Sequence, residues 1–258
     1  MATEVLSGPL GEVRAASTAG GGTALSTTAV RIVLNRGAKW LSLTPRNFST
    51  AVVAQYLLNP WLTVLKTADS GATFTDYSIE AQDASTSTSV TLSSIDTLAN
   101  GDALYVGSHL PFSGVAIDVD AANGTASVLA VTYSKSDGTW ANITPTDGTD
   151  SGGATMATDG SVTWTVPTDW ETRVIDGAGQ GLYWTRWVFS AALDSSTTLD
   201  HMLSINRSTV YAELISGQAF EEAVTVGPGG ICSVQARTDD GTANLIVNTG
   251  TRQNGRFV

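Results

Sequence analysis

The side chains best placed to do chemistry lie between Val115 and Gly124. Asp118 and Asp120 alternate on one face of a strand-like run and join Asn123-Gly124 in an Asp-x-Asp-x-x-Asn-Gly pattern. Oxygen ligands at such short spacing suit a hard cation, so Asp118, Asp120 and Asn123 are candidate calcium ligands. The spacing is one residue too long for the start of an EF-hand loop and the closing glutamate is missing, so solvated turn carboxylates are the competing reading. Asp147 and Asp150 in the next loop carry the same ambiguity.

A second constellation is aromatic. The long loop from Thr168 to Gly181 carries Trp170, Arg173 and Asp176, the residue types that stack on a sugar ring and hydrogen-bond its hydroxyls. These three are candidate glycan contacts, provided that Trp170 stands outside the core instead of pinning its own loop. Trp184 and Trp187 are three residues apart, so on a regular strand they point to opposite faces.

Catalytic signatures are scarce. The two histidines, His109 and His201, have no second metal-type residue at ligand spacing. No Gly-x-Ser-x-Gly elbow or phosphate-binding glycine loop is present, and Gly227-Pro-Gly-Gly230 reads as a tight turn. A glycosidase needs two acids held on rigid strands, whereas the acids here sit mainly in turns. The sequence therefore predicts no enzyme, no catalytic residues and no cofactor other than the calcium just considered.

The elements that must position these side chains are strands. Runs such as Ser127 to Tyr133, Ser161 to Val166 and Leu182 to Phe189 alternate apolar and polar residues or are short and apolar, and Asp137-Gly138 and Asp159-Gly160 punctuate them. An all-β fold follows: a β-sandwich or jelly-roll-like core with an extended N-terminal arm and additional C-terminal strands. The expected organisation is an arm over residues 1–28, a β-rich region over 29–95 with one short helix, a sandwich module over 96–207, and strands and a polar tail over 208–258. Thr50 to Leu58, stopped by Asn59-Pro60, is the segment expected to be helical.

Composition narrows the function classes. Only 14% of residues are charged, against about 25% in ordinary soluble domains. The net charge of −11 opposes phosphate backbones and anionic lipid, so neither nucleic acid nor membrane is an expected partner. No apolar run reaches membrane-spanning length, and the N-terminus lacks the basic and apolar regions of a secretory signal. The single cysteine, Cys232, leaves no intrachain disulfide and is expected to be a small buried residue.

The run Asp102 to Gly114, followed by Ala130 to Trp140, Thr146 to Thr149, Gly160 to Trp170 and Leu182 to Arg186, resembles tailed-bacteriophage virion structural proteins. The landmarks are a tyrosine strand, Gly-x-Trp, Thr-Asp-Gly-Thr, Trp-x-x-Pro-x-x-Trp and Tyr-Trp-x-Arg, over about residues 96–207. The resemblance implies a non-enzymatic virion component made in the host cytoplasm. The first expectation is a capsid decoration (cement) protein bridging coat subunits, with the major capsid protein or other virion proteins as partners and a homo-oligomer within the particle. The alternatives are a tail or baseplate part, or a carbohydrate-binding module for receptor recognition.

Overall fold

A computed structural model describes residues 12–14, 22–50, 53–83, 85–95, 101–175, 181–206, 211–216 and 218–250, with the backbone alone at 12–14 and 206. The described chain is all-β. It opens with β1 (Glu12–Arg14), β2 (Thr23–Leu25), β3 (Val30–Val33), β4 (Trp40–Arg46) and β5 (Val53–Pro60). Then follow β6 (Thr63–Thr67), β7 (Thr75–Asp76), β8 (Val90–Thr91), β9 (Ala103–Ser108), β10 (Phe112–Ala121) and β11 (Leu129–Ser134). The middle continues with β12 (Trp140–Ile143), β13 (Thr146–Asp147), β14 (Gly160–Thr163), β15 (Thr172–Arg173), β16 (Leu182–Phe189) and β17 (Thr198–Asn206). The chain closes with β18 (Ala212–Ile215), β19 (Phe220–Ala223), β20 (Ile231–Thr238) and β21 (Ala243–Gly250).

Two compact units result. One joins residues 1–59 to 208–258; the other is the uninterrupted stretch 60–207. This redraws the expected division, because residues 29–95 do not form a region of their own. Strand β6 pairs with β9, and Leu62, Val64, Val90, Leu92 and Ile95 enter the same core as the later strands, so the sandwich begins at Pro60.

The 60–207 unit is a sandwich of antiparallel sheets. One sheet runs β12-β11-β16-β9-β6-β7 with β15 beside β16; the other runs β13-β14-β10-β17-β8. Alternation on each strand decides which side chains meet between them. From β16, Trp187 and Phe189 face inward to join Val115 and Ile117 of β10 and Leu199 and Met202 of β17. Trp184 faces the other way, as the three-residue spacing predicts. It is nonetheless fully buried, because the outer face of this sheet carries a small core of its own: Leu65, Ile175, Leu182 and Trp184, flanked by Phe74, Tyr105 and Trp140. Gly107 of β9 lies opposite Trp184, and a Cβ there would sit 2.5 Å from the indole ring. The missing side chain is what lets the ring lie flat on the sheet.

In the other unit a sheet of order β1-β21-β4-β19, with β2 also on β21, encloses a core with the sheet β18-β5-β20-β3. The expected helix at Thr50 to Leu58 is a strand in its described part. Ala54, Tyr56 and Leu58 of β5 turn to the core while Gln55 faces outward to accept a hydrogen bond from Arg237. That is period two. A nine-residue helix holding two valines and a tyrosine is a poor nucleus, and the same side chains fit a pleated surface better. The expected arm is also partly corrected, since β2 pairs with β21 and Leu25 is buried in the core. Residues 1–11 and 15–21 of that arm and the tail beyond Gly250 lie outside the described residues.

Candidate functional site

The three candidate calcium ligands have different partners. Asp118 and Asp120 are exposed near the C-terminal end of β10, where Asp118 faces His201 at 3.6 Å and Asp120 accepts a hydrogen bond from the Thr198 hydroxyl. Asn123 is turned away into the protein and is 2% exposed. Its Nδ2 donates to the carbonyls of Thr125 and Thr155 and to the Ser127 hydroxyl. Its Oδ1 accepts from the backbone N–H groups of Thr125 and Asp194. The asparagine of the Asp-x-Asp-x-x-Asn pattern is thus a loop clamp. Among the described residues, no group of three or more His, Cys, Asp or Glu side chains could hold a metal ion.

The other turn acids behave similarly. Asp147 accepts from Thr149 and Thr155, and Asp150 accepts from the Gly153 N–H. Hydrogen bonds from Thr73, Thr139, Tyr133 and Thr125 hold Asp69, Asp137, Asp169 and Asp194, respectively, below the usual carboxylate range. A depressed carboxylate stabilises the fold above its unfolded pKa, and that contribution is lost as pH falls through its folded value.

Asp200 runs the other way. It lies at a bulge in the β10–β17 ladder and is 8% exposed, and its Oδ1 is buried without a partner among the described residues. Burial first, then the charges of Asp120 and Asp118, raises its pKa above the ordinary 3.8. Here the folded state binds the proton more tightly, so stability falls as pH rises through the folded value. Asp200→Asn is accordingly expected to raise the urea midpoint at pH ~7 and to leave it unchanged at pH ~3, where both forms are neutral. An equal gain at both pH values would refute that account.

The histidines stay apart in role. His109 is held below its ordinary pKa by burial, while His201 faces Asp118 at 3.6 Å. Cys232 is buried in the 208–258 strands, and Gly227 and Gly230 close a tight turn through a Gly230 N–H to Gly227 carbonyl bond.

Trp170 and Arg173 are not neighbours on a sugar platform. Trp170 is 6% exposed, and its Nε1 donates to the Trp184 carbonyl while its ring packs on Phe112, Tyr133 and Tyr183. The loop tryptophan therefore pins its own loop. A cleft of about 610 Å3 does border the Trp164, Trp170 and Tyr183 side chains, with Ser113, Thr165 and Thr168 supplying hydroxyls. Asp176 lies outside the described residues.

Arg173 belongs to a different group, one that sequence reasoning missed. On the outer face of the longer sheet its guanidinium lies 5.4 Å from the centre of the Trp140 ring, and that of Arg186 lies at the same distance. Tyr105 meets Trp140 edge-on at 5.7 Å, and Phe74 meets Tyr105 at 5.6 Å. The strand register explains part of this, since Arg186 is directly opposite Tyr105. Aromatic and arginine side chains on one partly exposed sheet face are the composition of protein-binding hot spots.

Charge is divided unevenly between the units. Residues 1–59 and 208–258 hold eight Lys/Arg and seven Asp/Glu, a formal charge of +1. Residues 60–207 hold five and seventeen, a formal charge of −12. No protein-family model matches the chain, and no curated protein matches it in sequence.

Proposed function

We propose that this chain is a non-enzymatic structural component of a bacteriophage particle: a capsid decoration protein that binds coat subunits through the 1–59/208–258 unit and presents the 60–207 sandwich to solvent. The observation that carries the reading is the division of charge. A −12 sandwich disfavours close packing against other acidic surfaces and keeps a particle exterior soluble, whereas a unit near neutrality can be buried against a protein partner with little electrostatic penalty. Turn acids engaged in local hydrogen bonds fit a scaffold better than a reactive cleft. In this reading the protein resides in the virion and self-associates there as a homo-oligomer, with coat protein as its principal partner.

Sedimentation with purified particles tests it. Mixed with expanded, undecorated heads and with bare tails of a candidate phage, the protein is expected to saturate the heads and to increase their resistance to heat. Binding to tails alone would replace the capsid reading by a tail or baseplate one. A carbohydrate-binding module is the second reading, favoured by the hydroxyl-rimmed cleft at Trp164, Trp170 and Tyr183. It requires binding to host-cell glycans and not to particles.

A further inference from the structure

Only five Lys or Arg side chains belong to the acidic 60–207 unit, and two of them, Arg173 and Arg186, converge on one indole. With seventeen carboxyl groups in the same unit, pairing with an acid would be the ordinary outcome for both. Among the described residues neither is paired. Arg173 donates through Nη1 to the Gly138 carbonyl at 2.8 Å, and the Nε of Arg186 is buried with no partner. Two acids on nearby segments are engaged elsewhere: Asp137 by Thr139, and Asp169 by Tyr133 and Lys135.

Arg173 itself lines a recess of about 280 Å3 together with Phe74, Tyr105, Trp140, Val174 and Ile175, of which Val174 is 65% exposed, and Arg186 adjoins it through the shared Trp140 ring. The recess pairs an apolar floor with positive charge that meets no carboxylate among the described residues, inside a unit whose formal charge is negative.

We infer that the Trp140 recess is a receptor for a carboxylate-bearing segment of a protein partner, taking a glutamate or aspartate side chain against Arg173 and Arg186 and its apolar neighbours against Phe74, Tyr105 and Val174. Charge complementarity selects the carboxylate, since guanidinium–carboxylate hydrogen bonds are among the strongest available. The −12 charge of the unit selects against nucleic acid, whose many phosphates would meet repulsion everywhere except at this spot. The apolar lining selects against a bare inorganic anion, which has no stem to place there. This inference concerns the sandwich alone and does not depend on whether the chain sits on a head, on a tail or elsewhere.

The test uses the full-length protein labelled with 15N, observing the arginine Nε–H signals assigned through Arg173→Gln and Arg186→Gln. The probes are a blocked Gly-Leu-Glu-Leu-Gly peptide, its glutamine counterpart, glucuronate and inorganic phosphate. The glutamate peptide is expected to shift both signals saturably, with binding weakened about tenfold or more by glutamine in the peptide or by either arginine substitution. Arg186→Lys, which keeps the charge and the aliphatic packing, separates a lost contact from a lost fold and is expected to bind at an intermediate level. Equal response to the glutamine peptide, to glucuronate or to phosphate, or no response to the glutamate peptide, would overturn the inference.

Discussion

Trp187→Ala is expected to lower the unfolding free energy of the sandwich by about 4 kcal/mol. The ring is fully buried at the centre of the inner face of β16, stacked edge-on against Trp164 at 6.2 Å. Its Nε1 donates to the Thr185 hydroxyl, which donates in turn to the Val106 carbonyl, so the indole also completes a short polar chain between β16 and β9. Removal leaves a cavity that the surrounding core side chains cannot fill without leaving their rotamers. Urea unfolding followed by hydrogen exchange of β16 and β17 amides reads the effect directly. A loss below about 1 kcal/mol would mean that the two sheets can close over the gap.

The second large effect is expected at Asn123. Asn123→Ala should cost about 3 kcal/mol although it removes only a small polar group. Five hydrogen bonds meet on this one carboxamide and tie the loop after β10 to the loop before β14 and to the turn before β17. Alanine leaves the Thr155 carbonyl and the Asp194 N–H facing a dry hole, and an unmade bond in such a place is more expensive than the net value of a made one. Asn123→Asp would keep the two accepted bonds but replace the amide donor facing Thr155 by a charged acceptor, so it should be as damaging at neutral pH and milder in acid. Measuring urea midpoints for both variants at two pH values distinguishes this clamp from a calcium ligand. A ligand role would instead make the wild-type midpoint rise with added calcium and the Asp variant more responsive to it.

Much of the fold was legible because strand period is a local property. Leu182 to Phe189 alternates visibly, and its two tryptophans go to opposite faces as the spacing requires. What escaped was long-range. Nothing local in Val53 to Leu58 says that β20, nearly two hundred residues later, will supply its neighbour, and without that partner the segment reads equally well as a short helix. The unit boundary escaped for the same reason, because β4 and β21 must pair before residues 1–59 and 208–258 become one body. The site residues divide similarly. Asn123 carried a real signal, an Asx residue before a turn, but such chemistry serves loop capping and cation binding alike. Tyr105, Trp140, Arg173 and Arg186 come from four separate strands, and only the register that sets Arg186 opposite Tyr105 brings them together.

The chain leaves the first unit at Asn59 and returns at Ser208, and that order has a consequence in time. During synthesis β4 and β5 emerge long before β20 and β21, so their sheets stand half-built while the 148 residues from Pro60 to Arg207 are added. At about 5–20 residues per second that wait is roughly seven to thirty seconds, ample for the sandwich to fold on the ribosome. The unit of residues 1–59 and 208–258 can close only once β20 and β21 have been made. Under tension applied at the termini the sequence reverses: β21 is pulled from β4 before any load reaches β6 or β17, and the unit that folds first is the last to feel the force.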